Sequence, residues 1–190
     1  MYGKNYRKEV KELTARKLVY VALFAALTAA GAFLRLPLGM VSVTAQFLVT
    51  AMAGALLGGK WGAVSQGVYV ALGLLGLPIF TMGGGIGYVL QPTFGFVLAL
   101  IPAAWVIGRI TGQHTTPHRM VMACLAGLGV VYVIGLPYMA LICNGYLHQN
   151  LPFSRLMMVA CLPFLPFDAV KVLLAAIVCP VVQRRLRSIL

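Results

Sequence analysis

The chain has 190 residues, of which 61% are hydrophobic and 9% charged, with a formal net charge of +12 and a mean hydropathy of +0.94. Soluble domains carry about 25% charged residues, so this balance excludes an ordinary soluble fold and points to an all-α integral membrane protein. With spans of about 20 residues each, the length accommodates six transmembrane helices and leaves no room for an extramembrane domain. The positive charge does not call for nucleic acid, because 9 of the 15 basic residues lie in two terminal tails, Lys4 to Lys17 and Arg184 to Arg187, that flank apolar helices.

The start of the chain is basic like the n-region of a signal peptide, but the apolar run behind it is too long for an h-region, so it is expected to become the first span without cleavage. Apolar runs and their Gly, Pro and charge interruptions predict spans near Leu18 to Leu36, Ala45 to Gly59, Trp61 to Leu77, Phe94 to Ile110, Met120 to Ile142 and Leu162 to Val182. The organisation is thus a basic N-terminal segment over residues 1–17, a six-helix membrane domain over 18–182 and a basic tail over 183–190. Six spans put both termini on one side. That side then receives twelve basic residues against two, Arg35 and Arg155, on the other, with Lys171 buried. The positive-inside rule makes the termini cytoplasmic. The outward loops become Pro37 to Thr44, Pro78 to Thr93 and Cys143 to Cys161.

In the first span Ala22, Ala26 and Ala30 recur at intervals of four, with Ala25 and Ala29 beside them. Such a smooth face admits another helix closely, either inside the protein or on a partner. Gly54 to Lys60 satisfies the first part of GxxxxGK[ST], but Trp61 replaces the metal-binding hydroxyl, no strand precedes it, and no carboxylate between Glu12 and Asp168 can serve as second metal ligand. ATP hydrolysis is therefore not expected in this chain. The loop Pro78 to Thr93 has no charge, is rich in apolar residues and contains Gly83-Gly84-Gly85, which suits either a lid folded back on a ligand or a tight turn.

His114 and His118 are spaced like a metal pair, but Pro117 interrupts the helix between them and neither Cys nor carboxylate is near, so a solvated loop is expected and no metal site. Cys124, Cys143, Cys161 and Cys179 have no CxxC spacing and are read as free thiols. His148 stands beside Asn144, Tyr146 and Gln149, a ligand contact or an exposed polar cluster. After Glu12 the chain has a single acidic residue, Asp168, three residues before Lys171 in an otherwise uncharged segment. At i and i+3 the two share a helix face. Charges at bilayer depth mark a substrate or ion path, or else form a strut between helices.

The motifs around these positions carry a resemblance. Pro37-Leu-Gly-Met-Val-Ser-Val-Thr44-Ala-Gln46 resembles PLGPVPVTLQ, Gly73-Leu-Leu-Gly-Leu-Pro78-Ile-Phe resembles GLxGLPVF, Gly83 to Gly95 resembles a glycine-rich stretch ending in GPTGGY, and Phe164-Leu-Pro166-Phe-Asp168-Ala-Val-Lys171 resembles FLPGDxxK. These patterns belong to the BioY family, the biotin-specific S components of energy-coupling factor (ECF) transporters, and the similarity covers roughly Thr14 to Val182. The chain departs from the patterns at Met40, Ser42, Ala45, Gln91, Phe94 and Phe167.

The resemblance implies a six-helix biotin-binding subunit of a prokaryotic plasma membrane, working with a transmembrane coupling protein and two cytoplasmic ATPases. It implies no covalent chemistry or cofactor in this chain, and gives Ala22, Ala26 and Ala30 to the coupling protein. Asp168 suits the ureido N–H groups of biotin and Lys171 a ligand oxygen. Thr44, Gln46, Gln91 and Asn144 are further polar candidates, Phe80, Tyr88 and Tyr146 candidates to cover the sulfur ring, and Arg35 a candidate for the valerate carboxylate or a snorkelling side chain. The competing classes are a membrane-embedded enzyme, for which one carboxylate is a thin catalytic set, and a proton-coupled carrier, for which no internal repeat is evident.

Overall fold

The computed structural model describes residues 2–38, 41–112 and 115–187; Met40 and His114 lie outside the described residues. Each of the six apolar stretches is helical. They form α1 (Tyr2–Phe33), α2 (Gln46–Leu57), α3 (Gly59–Leu74), α4 (Phe94–Thr111), α5 (Pro117–Ala140) and α7 (Leu165–Arg187), with a short α6 (Phe153–Ala160) between the last two. The first helix stops at Phe33, short of the expected Leu36, and structure also appears in the segments expected as outer loops. Arg35–Leu38 and Val41–Thr44 form an antiparallel hairpin, β1 and β2, in register Arg35 with Thr44 and Leu38 with Val41. Ile86–Leu90 is a 3-10 turn, and α6 occupies part of the segment expected to be an outer loop. Periodicity over such short apolar segments does not separate loop from strand or helix.

Helix ends follow local chemistry. α5 starts with Pro117 at its first position, where a missing N–H costs nothing, and the Thr116 hydroxyl accepts from the Arg119 backbone N–H at 3.3 Å. α4 ends at Gly112, whose φ of 59° is one that L side chains rarely adopt. Pro102, Pro137 and Pro180 lie inside helices, a placement that neighbouring helices make tolerable in membrane proteins.

Four helical stretches, Ala15–Phe33, Phe94–Thr111, Pro117–Tyr146 and Phe153–Arg185, are long and apolar enough to cross a membrane. Their outward faces agree with that environment: Val133 is 72% exposed and Ile177 67%, an arrangement that lipid stabilises and water would not. α2, with 12 residues, is about 18 Å long, shorter than a hydrocarbon core of about 30 Å. α4 sits centrally, packed on α2, α3 and α5, while α1 covers α2 and α3 and α7 covers α2 and α5.

Two devices hold these helices together where the hydrophobic effect cannot. The first is a buried polar ladder across α1, α2 and α3. Gln66 donates to Thr28 Oγ1 and Ser65 Oγ, both at 3.2 Å, and the Thr50 hydroxyl lies 3.1 Å from Gln66 Oε1. Each hydroxyl also meets a carbonyl of its own helix, Phe24 for Thr28 and Gln46 for Thr50. The second is glycine contact: a Cβ on Gly108 of α4 would lie 2.5 Å from the Gly54 carbonyl oxygen and 2.6 Å from Gly58 C. Van der Waals contact at small residues drives helix association in lipid.

Gly108→Ala is therefore expected to destabilise by about 1–3 kcal/mol through overpacking, read as a lower melting temperature in detergent. Gly129→Ala on α5, where an added Cβ meets open space, is expected to leave melting unchanged or raise it slightly; equal loss in both variants would refute the glycine contact.

Candidate functional site

The site begins with the entry to α7. Pro163 and Pro166 shape the turn that starts this helix, and Asp168 falls in its first turn, where the helix dipole favours a negative charge. Its side chain is turned inward, leaving the residue 5% exposed. Lys171 Nζ donates to Oδ1 at 2.8 Å, and the Tyr132 hydroxyl on α5 donates to Oδ2 at 2.5 Å. The isolated pair of the sequence is thus a triad. Two of the roughly four acceptor sites of a carboxylate are filled by these bonds, and Lys171 uses one of its three donors.

Asp168, Lys171 and Tyr132 line one side of a cavity of about 100 Å³. The lining also includes the hairpin and the start of α2, with Val41, Ser42, Thr44 and Gln46. There the Thr44 hydroxyl donates to Gln46 Oε1 at 3.0 Å, Gln46 Nε2 donates to the Tyr69 hydroxyl at 2.7 Å, and Tyr69 donates to the Ile79 carbonyl at 3.1 Å. This chain fixes the Gln46 amide and leaves it one further N–H. Phe47, Phe96, Leu100 and Phe164 supply apolar walls. Thr93, at the mouth of α4, also lines the cavity, and its buried hydroxyl has no hydrogen-bond partner. A cavity with apolar walls and a few convergent polar groups is the usual form of a small-molecule site.

The loop from Pro78 to Thr93 folds back on the bundle beside this cavity. Phe80 is buried against Tyr69, Tyr88 and Phe94, with ring centroids 5.5, 4.6 and 6.2 Å away. Phe80 and Tyr88 therefore buttress the loop and do not line the cavity; besides Thr93, the loop lines it with Thr81, whose hydroxyl is 2.9 Å from the Tyr88 hydroxyl. Gly73 and Gly85 join the loop to α3 through a backbone bond of 2.7 Å. Arg35 on β1 donates to the Thr81 carbonyl oxygen, tying hairpin to loop.

Of the ten ligand candidates from the sequence, the structure brings Thr44, Gln46, Asp168 and Lys171 together around the cavity. Gln91 is half-buried at the end of the 3-10 turn and outside the lining. Asn144 is engaged elsewhere, donating to the Leu151 carbonyl at 2.9 Å and accepting from its N–H at 2.7 Å. Tyr146 is 55% exposed and His148 is exposed. Ala22, Ala26 and Ala30 lie on the exposed face of α1, whereas Val21, Phe24, Ala25 and Thr28 are buried. Sequence reasoning missed Tyr132, Thr93, Phe96 and Phe164. The one available signal was that a phenol in an apolar span needs a hydrogen-bond partner.

Comparison with known proteins extends over this whole arrangement. The BioY family model matches residues 6–188. A probable biotin transporter BioY of Lysinibacillus sphaericus is 42% identical over 152 residues, 79% of this chain and 78% of that one. The biotin transporter BioY of Thermotoga maritima is 32% identical over 164 residues, 86% of this chain and 93% of that one. A crystal structure of the S-component for biotin from an ECF-type ABC transporter shares the fold with a TM-score of 0.67 and 28% identity, covering 93% of each chain. On this agreement along nearly its full length, the chain belongs to the BioY family.

Proposed function

We propose that the chain is the biotin-binding S component of an ECF transporter, crossing a prokaryotic plasma membrane six times with both termini in the cytoplasm. The observation that carries this proposal is the desolvated Asp168, Lys171 and Tyr132 triad at one side of an apolar cavity, in a chain of the BioY family. Biotin offers two ureido N–H donors, one ureido carbonyl, an apolar sulfur ring and a carboxylate. The free acceptor sites of Asp168 take a ureido N–H, and a free donor of Lys171 takes the carbonyl, both as charge-assisted bonds. Phe96 and Phe164 cover the sulfur ring, with Thr44, Gln46 and the unpartnered Thr93 hydroxyl offering further polar contacts. Arg35 keeps four N–H donors beyond its bond to Thr81, which suits the valerate carboxylate at the rim.

The chain does no covalent chemistry and holds no cofactor in this proposal. A transmembrane coupling protein docks on the exposed Ala22, Ala26 and Ala30 face, and two cytoplasmic ATPases bound to it supply the energy. The relatives are named as transporters, and nothing favours the enzymatic use of Asp168.

Calorimetry of the detergent-purified chain is expected to show biotin binding at micromolar concentration or below, weaker binding of desthiobiotin, which lacks the sulfur, and none of thiamine. Absence of biotin binding at micromolar concentration would refute the proposal. Asp168→Asn leaves the half-buried Lys171 without its counter-charge and is expected to weaken biotin binding by about 3 kcal/mol. Tyr132→Phe removes one bond to a charged group and is expected to cost about 1.5–3 kcal/mol of affinity; wild-type affinity in both variants would place the ligand elsewhere.

A further inference from the structure

Both tryptophans of the chain stand at the end of the bundle away from the cavity. Trp61 is in the first turn of α3 and Trp105 in the last two turns of α4. Along α4, Arg109 lies nine residues, about 14 Å, beyond Leu100, the last residue of α4 in the cavity wall. Three cations gather on these rings. Lys17 Nζ is 5.8 Å and Lys60 Nζ 6.0 Å from the Trp61 centroid, and the Arg109 guanidinium is 5.0 Å from that of Trp105. The start of α3 and the last turns of α4 are in contact at this end, because a Cβ on Gly59, the residue before Lys60, would lie 2.7 Å from the Trp105 carbonyl oxygen and 3.3 Å from Arg109 Cγ.

Cations are attracted to ring faces, and three cations at one end of the bundle favour an anion there. The only carboxylate among the described side chains, Asp168, is taken by Lys171 at the cavity end. Lys17, Lys60 and Arg109 are exposed, and so are Trp105 and, one turn along α3 from Trp61, Val64. Charge at the rim with indole and aliphatic surface below it matches an amphiphile. Indole rings settle at the headgroup level of a bilayer, and basic pockets between transmembrane helices bind anionic headgroups.

We infer that Lys17, Lys60 and Arg109 hold the phosphate of an anionic phospholipid of the phosphatidylglycerol class, with its acyl chain running along Trp105 and Val64. This rests on the membrane embedding of the family and not on biotin. The competing occupant is an acidic segment of a partner subunit, which would confer no lipid preference on the isolated chain.

Because the chain has two tryptophans, fluorescence excited selectively at indole, beyond tyrosine absorption, reads this end of the bundle. The full chain, reconstituted in phosphatidylcholine vesicles, is compared with brominated-acyl phosphatidylglycerol or brominated-acyl phosphatidylcholine at equal mole fraction. Phosphatidylglycerol is expected to be enriched at the rings on the order of fivefold and to quench correspondingly more. The preference should vanish in Lys60→Gln/Arg109→Gln and persist in Lys60→Arg/Arg109→Lys, which keeps the charge and serves as the folding control. It should also persist when inorganic phosphate replaces sodium chloride at equal ionic strength; its loss to phosphate alone would assign the site to free phosphate and overturn the lipid. Equal quenching by the two lipids, or an unchanged preference in the neutral variant, would overturn the inference.

Discussion

A carboxylate removed from water has to be answered by protein or ligand, and in this chain that requirement falls on Asp168. Isolated charge burial costs far more than a domain's net stability, so the residues around Asp168 are not free to vary. Lys171 neutralises it from the next turn of α7, and Tyr132 reaches it from α5. The Lys171 bond stays within α7, and only the Tyr132 hydroxyl crosses from α5. What they leave open is as informative as what they close, since acceptor sites on Asp168 and donors on Lys171 remain for a further polar molecule in the cavity.

The rest of the cavity is assembled by elements that bring little charge of their own. The hairpin stands on the start of α2 and offers Ser42 and Thr44; the loop after α3 is anchored by Phe80 inside an aromatic cluster and offers Thr81. Arg35 joins the two. Behind them, the Thr28, Gln66 and Thr50 ladder and the glycine contacts of α2, α3 and α4 hold the bundle without help from water. Rigid support of this kind places a few polar groups with the accuracy that recognition needs. Towards the other end of α3 and α4 stand the two tryptophans, each with a cation over its ring.

The helical stretches were legible because twenty-residue apolar runs leave little choice of structure in lipid. Asp168 and Lys171 were legible because charge is rare in such runs. Thr44 and Gln46 could be found only through motif resemblance, since neutral polar residues near helix ends have many uses. Phe80 and Tyr88 were expected over the ligand yet buttress the loop instead: apolarity marks a residue for burial but does not say against what. For Tyr132 the sequence signals only that a phenol in an apolar span needs a partner, and Thr93 carries no signal at all; which helix faces which leaves no record in the spacing within one helix. The hairpin was equally hidden, four-residue strands being too short for alternation to stand out.

The central claim, that the Asp168 and Lys171 pair serves recognition and is not a strut, is tested most directly by replacing both at once. In Asp168→Leu/Lys171→Met both charges leave together, and well-packed apolar replacements of an ion pair shielded from water are often neutral or stabilising. Melting temperature and biotin affinity measured on the same detergent-purified protein then separate the two roles. The account predicts melting at or above that of the unsubstituted chain with biotin binding abolished; retained biotin affinity with a marked fall in melting temperature would contradict it.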